Sequence, residues 1–339
     1  MDKKKIAIVG SSHIAALELV YMELLIKNGF SVSLFPAQSI FYDFYFHSLV
    51  NKIIYRFGVS RILKKIQTDL KMFINDFEPN IVIVFKGMEI TPQTLIWLRK
   101  KQIWLCNYNP DHPFIFSGRG SGNRNVSNSI HLYDCYFSYS NSVVSRLNNI
   151  GINSKTIPFG FDNDGFTFSE INQSDEILKT CFLGNADKLR VKFLNDLADL
   201  GLQIDVYGEN WNMFKLNKSI CIFPAKYGQE FWITLQKYAV QLNLLRPHNL
   251  DSHNMRSFDI PGSGGIMLAP LTNDHVKFFK QGIEIFLYDS LNSAFYNANQ
   301  ILSLSFEERL KIRKNARISS LRNHTYSNRI NSLIQYIET

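Results

Sequence analysis

Leu242-Asn243-Leu244-Leu245-Arg246 is an apolar run that ends on a cation, and after a polar loop Asn254-Met255-Arg256-Ser257-Phe258-Asp259 opens a second pattern that closes on Gly264-Gly265. Residues 240–244 have the length and composition of a strand, 253–262 carry helical spacing, and 266–269 form another short apolar run behind the glycine pair. Strand, helix and strand in succession make a crossover unit whose two strands lie parallel. Pro261 falls inside the expected helix and predicts a kink or an early end.

The same alternation extends in both directions. In the second half, strands are expected at 180–183, 204–207, 219–222 and 284–287, with helices at 188–200, 229–237, 290–303 and 306–320 and a last amphipathic helix at 326–337. The first half reads as strands at 6–9, 32–35, 81–85, 103–106, 135–138 and 155–157. Helices fall at 15–27, with Gly29 as C-cap, and at 60–77, 92–101 and 142–150, and an aromatic segment at 40–57 reads as one further helix. Two runs of this kind predict an α/β chain of two Rossmann-like domains, residues 1–158 and 176–323, joined by a polar, glycine-bearing linker at 159–175. A length of 339 residues suits two such domains.

Composition narrows the function. Hydrophobic residues make up 45% of the chain, with 27 Phe and 15 Tyr, enough to fill two cores. The formal net charge of +8 favours anionic company, either nucleotide phosphates or an anionic membrane face. Basic residues concentrate only at Lys3-Lys4-Lys5 and over 309–322, without the aromatic-basic signature of an RNA-binding sheet, so nucleic acid is not an expected partner. Cys106, Cys135, Cys181 and Cys221 are too far apart for metal-ligand spacing and read as core residues in a reducing compartment. The lysines at the N-terminus lead straight into a short strand, and no apolar run reaches about 18 residues. A cytoplasmic protein is expected, at most peripheral on the inner face of a membrane.

Several chemistries are disfavoured. Gly10-Ser11-Ser12-His13 follows the first strand with a single glycine, which fails the dinucleotide fingerprint. Asp162-Asn163-Asp164 has D-x-D spacing but falls in the linker, and the eight histidines show no zinc-enzyme spacing, so no metal and no cofactor are expected. Gly118, Gly120 and Gly122 suggest a mobile loop over a substrate rather than a phosphate loop.

Further motifs accompany the opening stretch: Phe85-Lys86-Gly87-Met88-Glu89-Ile90-Thr91-Pro92, Asn109-Pro110-Asp111-His112-Pro113, Ile157-Pro158-Phe159-Gly160-Phe161-Asp162, Phe182-Leu183-Gly184-Asn185 with Arg190, and Val206-Tyr207-Gly208-Glu209-Asn210-Trp211. Taken together over nearly the whole chain, they resemble the CgeB-like, or spore-maturation-type, glycosyltransferases, relatives of the glycosyl transferases group 1 set. The resemblance implies the GT-B architecture: two Rossmann-like domains facing each other across a cleft, with the last helix, 324–339, returning to the N-terminal domain. It also implies transfer of a sugar from a nucleotide-diphosphate-sugar donor to a glycan, lipid-linked or protein acceptor without a metal, in bacterial surface polysaccharide or glycoconjugate synthesis. An epimerase or hydrolase of the same fold, and a non-catalytic nucleotide- or glycan-binding subunit, are the alternatives.

On that resemblance the donor site comprises Asn185, Lys188, Arg190, Arg246, Asn254, Arg256, Asp259 and Gly264. Arg256 and Asn254, in the first turn of a helix, suit a pyrophosphate, and Asp259 suits ribose hydroxyls. The group carries Glu where this chain has Asp259. Asp251, eight positions earlier, serves either as a second carboxylate or as a helix N-cap. Gly10 and His13, and Asp111 and His112, lie on loops at the carboxyl ends of strands, where open α/β sheets place their sites. The first pair is assigned to the donor. Asp111 or His112, with Asp259, is expected to carry catalysis by orienting or deprotonating the acceptor hydroxyl, although Asp111 equally suits capping a turn ahead of Pro113.

Overall fold

The computed structural model describes residues 4–14, 16–116, 120–246 and 251–338. Lys3, Gly118 and the expected helix start at Ala15 lie outside the described residues, as do 247–250 within the donor motif. The chain divides into two compact units. The first holds the residues up to Pro158 and those from Arg329 onward, and the second runs from Phe159 to Asn328.

In the first unit the elements follow as β1 (Lys5–Val9), α1 (Leu17–Lys27), β2 (Ser31–Phe35), α2 (Ala37–His47), α3 (Leu49–Arg56), α4 (Ile62–Phe77), β3 (Ile81–Phe85), α5 (Pro92–Lys100), β4 (Trp104–Asn109), α6 (Arg124–Ser129), β5 (Cys135–Ser138), α7 (Asn141–Asn149) and β6 (Ser154–Thr156). The six strands pair in parallel in the order β2-β1-β3-β4-β5-β6. Chain direction across the sheet reverses between β1 and β3, and that reversal opens a crevice at the carboxyl ends of those strands. Strand β3, Ile-Val-Ile-Val-Phe, is buried throughout, as a central parallel strand covered on both faces must be.

The second unit contains β7 (Ile177–Leu183), α8 (Lys188–Asp199), β8 (Ile204–Tyr207), β9 (Ile220–Phe223), α9 (Gly228–Lys237), β10 (Tyr238–Leu242), α10 (Arg256–Ser263), β11 (Met267–Pro270), α11 (Asn273–Phe278), β12 (Phe286–Tyr288), α12 (Leu291–Ser303) and α13 (Phe306–Asn323). Its parallel sheet has the order β12-β11-β10-β7-β8-β9, with the reversal between β7 and β10. The last helix, α14 (Tyr326–Glu338), starts in the second unit and continues into the first. There Lys4 Nζ donates to the Ile337 carbonyl at 3.1 Å and the rings of Phe137 and Tyr336 lie 5.9 Å apart.

Two expectations change, and two features the sequence left open appear. The aromatic segment 40–57 is two helices, because Ser48 is extended and its hydroxyl accepts from the Asn51 amide, capping a new start. Helices α6 and α11, six residues each, are too short to show a period in sequence. Cys221 is exposed, whereas the other three cysteines are buried. Within the basic stretch 309–322, Arg309 and Arg313 are buried and both bind Glu176, at 2.6 and 2.8 Å.

Residues 159–175 pack into the second unit, with Phe159, Phe161, Phe166 and Ile171 all buried. Phe161 donates its amide to the His324 carbonyl at 2.7 Å and accepts from the Tyr326 amide at 3.1 Å. Gly160 permits this approach, since a Cβ there would stand 2.9 Å from the Thr325 carbonyl carbon.

Candidate functional site

At the strand reversal of the second unit, the loops after β7 and β10 and the start of α10 bring three arginines into electrostatic reach of one another. Arg190 lies in the first turn of α8, whose N-cap Asp187 accepts from the amides of Leu189 and Arg190. Its guanidinium donates to the carbonyls of Asn185 and Leu244 at 3.0 and 3.2 Å, lies 3.3 Å from Asp187 and stacks 5.3 Å from the Phe182 ring centre. Burial lowers its pKa, Asp187 opposes this, and the Arg246 and Arg256 cations lower it further. Mutual repulsion of this kind is relieved by an anion.

The β7 loop is held by its motif residues. The Trp211 indole donates to the Gly184 carbonyl at 3.0 Å, and Asn185 Oδ1 accepts from the Glu209 amide. Gly208 has φ of 149°, and a Cβ there would stand 2.3 Å from the Gly184 oxygen. Glycine is required where two backbones pass this closely.

Asn254 caps α10. Its Oδ1 accepts from the Ser257 amide at 3.1 Å, its own amide donates to Ser257 Oγ, and its Nδ2 donates to Asn243 Oδ1 at 2.8 Å. Ser257 Oγ also pairs with Asn243 Nδ2 at 3.0 Å and His275 Nε2 at 2.8 Å. The other nitrogen of His275 lies 2.8 Å from the Pro270 carbonyl. Burial pushes the His275 pKa down to about 4, which keeps the ring neutral inside this network.

Arg256 pairs with Asp259 at 2.6 Å and lies 4.3 Å from the centre of the Phe231 ring. Asp259 is buried. Desolvation pushes its pKa up to about 6 against the pull of Arg256, and the Asp162 charge adds to the rise. The helix ends two residues after Pro261, with Gly264 left-handed at its C-cap. Gly264 thus stands at the opposite end of α10 from Arg256, roughly 12 Å along the axis at 1.5 Å per residue, and its carbonyl accepts from Arg313. The structure gives it a terminating role, not a place among the arginines. Lys188 is exposed on the solvent side of α8, and Asp251 is exposed while the cap is made by Asn254.

The first unit corrects two further expectations. Gly10 and its neighbours do not form an open anion cradle, because Glu18 from α1 fills the place. Its Oε1 accepts from the Ser11 amide at 2.8 Å and would stand 2.4 Å from a Cβ on Gly10. His13 follows on the same closed turn, its amide donating to Ser11 Oγ at 3.1 Å.

Asp111 forms an ion pair with Lys86 at 2.6 Å, and His112 Nδ1 accepts from the amides of Phe114 and Ile115 at 3.1 and 3.0 Å. Nδ1 is thus engaged by the loop's own backbone. Both residues fix the loop after β4.

A residue without an assigned role in the sequence stands out here. Glu89 lies on the loop after β3, at the strand reversal of the first unit, beside a cavity of about 800 Å³ whose walls include Phe41, Tyr42, Tyr45 and Tyr55. The loop is rigidly held: Lys86 and Gly87 have φ of 60° and 92°, and the Met88 carbonyl accepts from Asn123 and Asn125 at 2.8 and 2.9 Å. Gly120 and Gly122 line the same cavity, and the Gly120 carbonyl accepts from Lys86 Nζ. Burial pushes the Glu89 pKa up to about 7, partly offset by its own amide and by Lys86. A carboxyl poised near neutrality can take a hydroxyl proton. Its signal was an acid one residue past a Lys-Gly-Met turn at a strand end, but its burial was not visible in the sequence.

Among the described residues, no group of three or more His, Cys, Asp or Glu side chains is placed to hold a metal ion, and no helix is long and apolar enough to cross a membrane.

Residues 190–335 match a protein-family model described as Glycosyl transferase-like. No curated protein matches the sequence. Among solved structures, the chain is similar to sucrose-phosphate synthase from Thermosynechococcus elongatus, with 10% identity, a TM-score of 0.67 and coverage of 99% of this chain and 98% of that one. The fold is GT-B. It is also similar to HepE from Anabaena, solved with UDP and glucose, at 11% identity and a TM-score of 0.65 over 99% of both chains. A putative UDP-N-acetylglucosamine 2-epimerase from Listeria monocytogenes shares the GT-B fold at 11% identity and a TM-score of 0.61, over 99% of this chain and 98% of that one. In this GT-B chain, Arg190, Arg246, Arg256 and Asp259 all fall inside the span of the family match.

Proposed function

We propose that this chain is a metal-independent glycosyltransferase of the CgeB-like kind, which takes a sugar from a nucleoside-diphosphate sugar held by the second unit. The observation that carries the reading is the cluster of Arg190, Arg246 and Arg256 at the β7/β10 reversal, three cations whose repulsion a diphosphate relieves. Arginine forks supply the charge that a metal supplies elsewhere, and Asp259 accepts from ribose hydroxyls. UDP is the first nucleotide to try, because similar structures hold it. The acceptor is a glycan, a lipid-linked intermediate or a protein, and the net charge of +8 suits a cytoplasmic enzyme that touches an anionic membrane face. Surface polysaccharide or glycoconjugate synthesis is the setting this implies.

Thermal unfolding in the presence of nucleoside diphosphates tests the donor site. A ligand at about a hundred times its Kd adds about 2.7 kcal/mol to the native state. UDP or another nucleoside diphosphate is expected to raise the midpoint, and Arg190→Ala and Arg256→Ala should each abolish the shift. Shifts of full size in both variants would place the nucleotide elsewhere.

The epimerase among the similar structures keeps one second reading open. An epimerase or hydrolase turns over its nucleotide sugar at full rate without any acceptor, whereas a transferase needs one.

A further inference from the structure

The helices α2 and α3 form a hairpin whose inner side chains, Phe41, Phe44 and Tyr55, pack on the core of the first unit. The turn between them is fixed, since Asn51 Nδ2 donates to the Phe44 carbonyl at 2.8 Å. The outer side is apolar and bare. Leu49 is 75% exposed, Phe57 78% and Val59 70%, and Phe46, Val50 and Ile53 are also exposed. Leu49, Ile53 and Phe57 recur at intervals of four, so they form one stripe along α3.

Lys52 and Arg56, also four apart, border that stripe, and the Lys52 ammonium lies 5.0 Å from the Phe46 ring centre. From residue 44 to 68 the sequence contains five Lys or Arg residues and no Asp or Glu; the flanking acids are Asp43, exposed on α2, and Asp69, which pairs with Lys65 at 3.2 Å. A protein partner of ordinary surface would present both signs of charge. An apolar stripe edged mainly by cations matches the boundary of an anionic bilayer, with acyl chains below and phosphates at its rim.

We propose that the α2–α3 hairpin is a membrane-docking element that seats Leu49, Ile53, Phe57 and Val59 in the surface of an anionic bilayer. The inference deepens the proposed function by naming the element that meets the membrane, and it rests on that reading only for its biological setting. Tyr42, Tyr45, Phe46 and Lys52 of the same hairpin also line the cavity beside Glu89, so docking brings that cavity to the lipid surface.

Co-sedimentation of the full chain with phosphatidylcholine vesicles, with and without phosphatidylglycerol, tests the proposal. Binding is expected only with phosphatidylglycerol. It should weaken about thirtyfold in Arg61→Gln/Lys64→Gln, which removes two cations at about 1 kcal/mol for each one near the surface. Leu49→Ser/Phe57→Ser should lose it, and neither double variant should move the unfolding midpoint or the UDP shift. Equal binding of wild type and both variants would overturn the proposal. So would a wild-type dimer in size-exclusion chromatography that Leu49→Ser/Phe57→Ser dissolves, because the stripe would then be a protein interface. Vesicle binding without any nucleotide shift would sink the transferase reading and leave the docking element standing.

Discussion

Glu89 is held beneath aromatic rings, where a charge is poorly solvated, and the consequence is measurable without knowing the reaction. Below about pH 4.5 the carboxyl is neutral in folded and unfolded chains alike. Between that value and about 7 the unfolded chain ionises while the folded one keeps its proton, so the native state loses stability as the pH rises, by up to about 3 kcal/mol. Glu89→Gln removes the dependence, and its stability relative to wild type should grow between pH 5 and 8 in denaturant titrations. A constant difference across that range would mean that Glu89 is not buried as a neutral acid. Arg256 poses a different test, because the fork that pairs with Asp259 is also the one proposed to bind phosphate. Arg256→Lys keeps the cation and loses the planar fork. It should fold normally and weaken UDP binding about tenfold by calorimetry. That Arg190, Arg246 and Arg256 come near one another was legible because each lies in a motif at a strand end or helix start. Glu18 and Glu89 were not, since whether an acid caps a turn, fills a cradle or awaits a proton depends on what surrounds it.

At the scale of elements, α13 shows how a charged segment can act as core. Arg309 grips Glu176 through Nε and a terminal nitrogen, and Arg313 adds 2.8 Å to the other carboxylate oxygen and donates to the carbonyls of Gln236, Tyr238 and Gly264. The pair of cations outweighs the burial of Glu176 and holds its pKa below the usual carboxylate value. Glu176→Gln leaves two buried guanidinium groups without their counter-charge, which costs about 3–5 kcal/mol. A fall in the unfolding midpoint of the second unit is the expected result. Gly208→Ala is a loop counterpart: its Cβ would collide with the Gly184 carbonyl, so the β7 loop should shift and UDP affinity drop. Buried strands such as Ile81–Phe85 declare themselves by continuous apolar sequence. The Ser48 break and the Glu176 anchor do not, because one depends on a cap and the other on a partner 133 residues away.

For the molecule as a whole, two Rossmann-like units could be anticipated because each strand is a short apolar run followed by a helix-length segment, whereas the strand order within each sheet was not legible. Where the chain ends up is less local. The helix α14 follows the second unit in sequence, yet from Arg329 onward it belongs to the first. Its buried face contributes Ile330, Leu333 and Ile337 to that unit, and Lys155 Nζ sits 5.5 Å from the Tyr336 ring centre. Truncation after Asn328 should therefore weaken the first unit and spare the second. At about 1.5–3 kcal/mol for each buried aliphatic side chain, the loss is on the order of 5 kcal/mol, enough to unfold a domain of ordinary stability. Hydrogen exchange resolves where the loss falls. Amides of β1, β3 and β4 should exchange rapidly in the truncated chain, whereas those of β7, β10 and α10 should stay protected and gain protection from UDP. If exchange instead rose across the second unit, the terminal helix would be stabilising the sheet that carries the arginines.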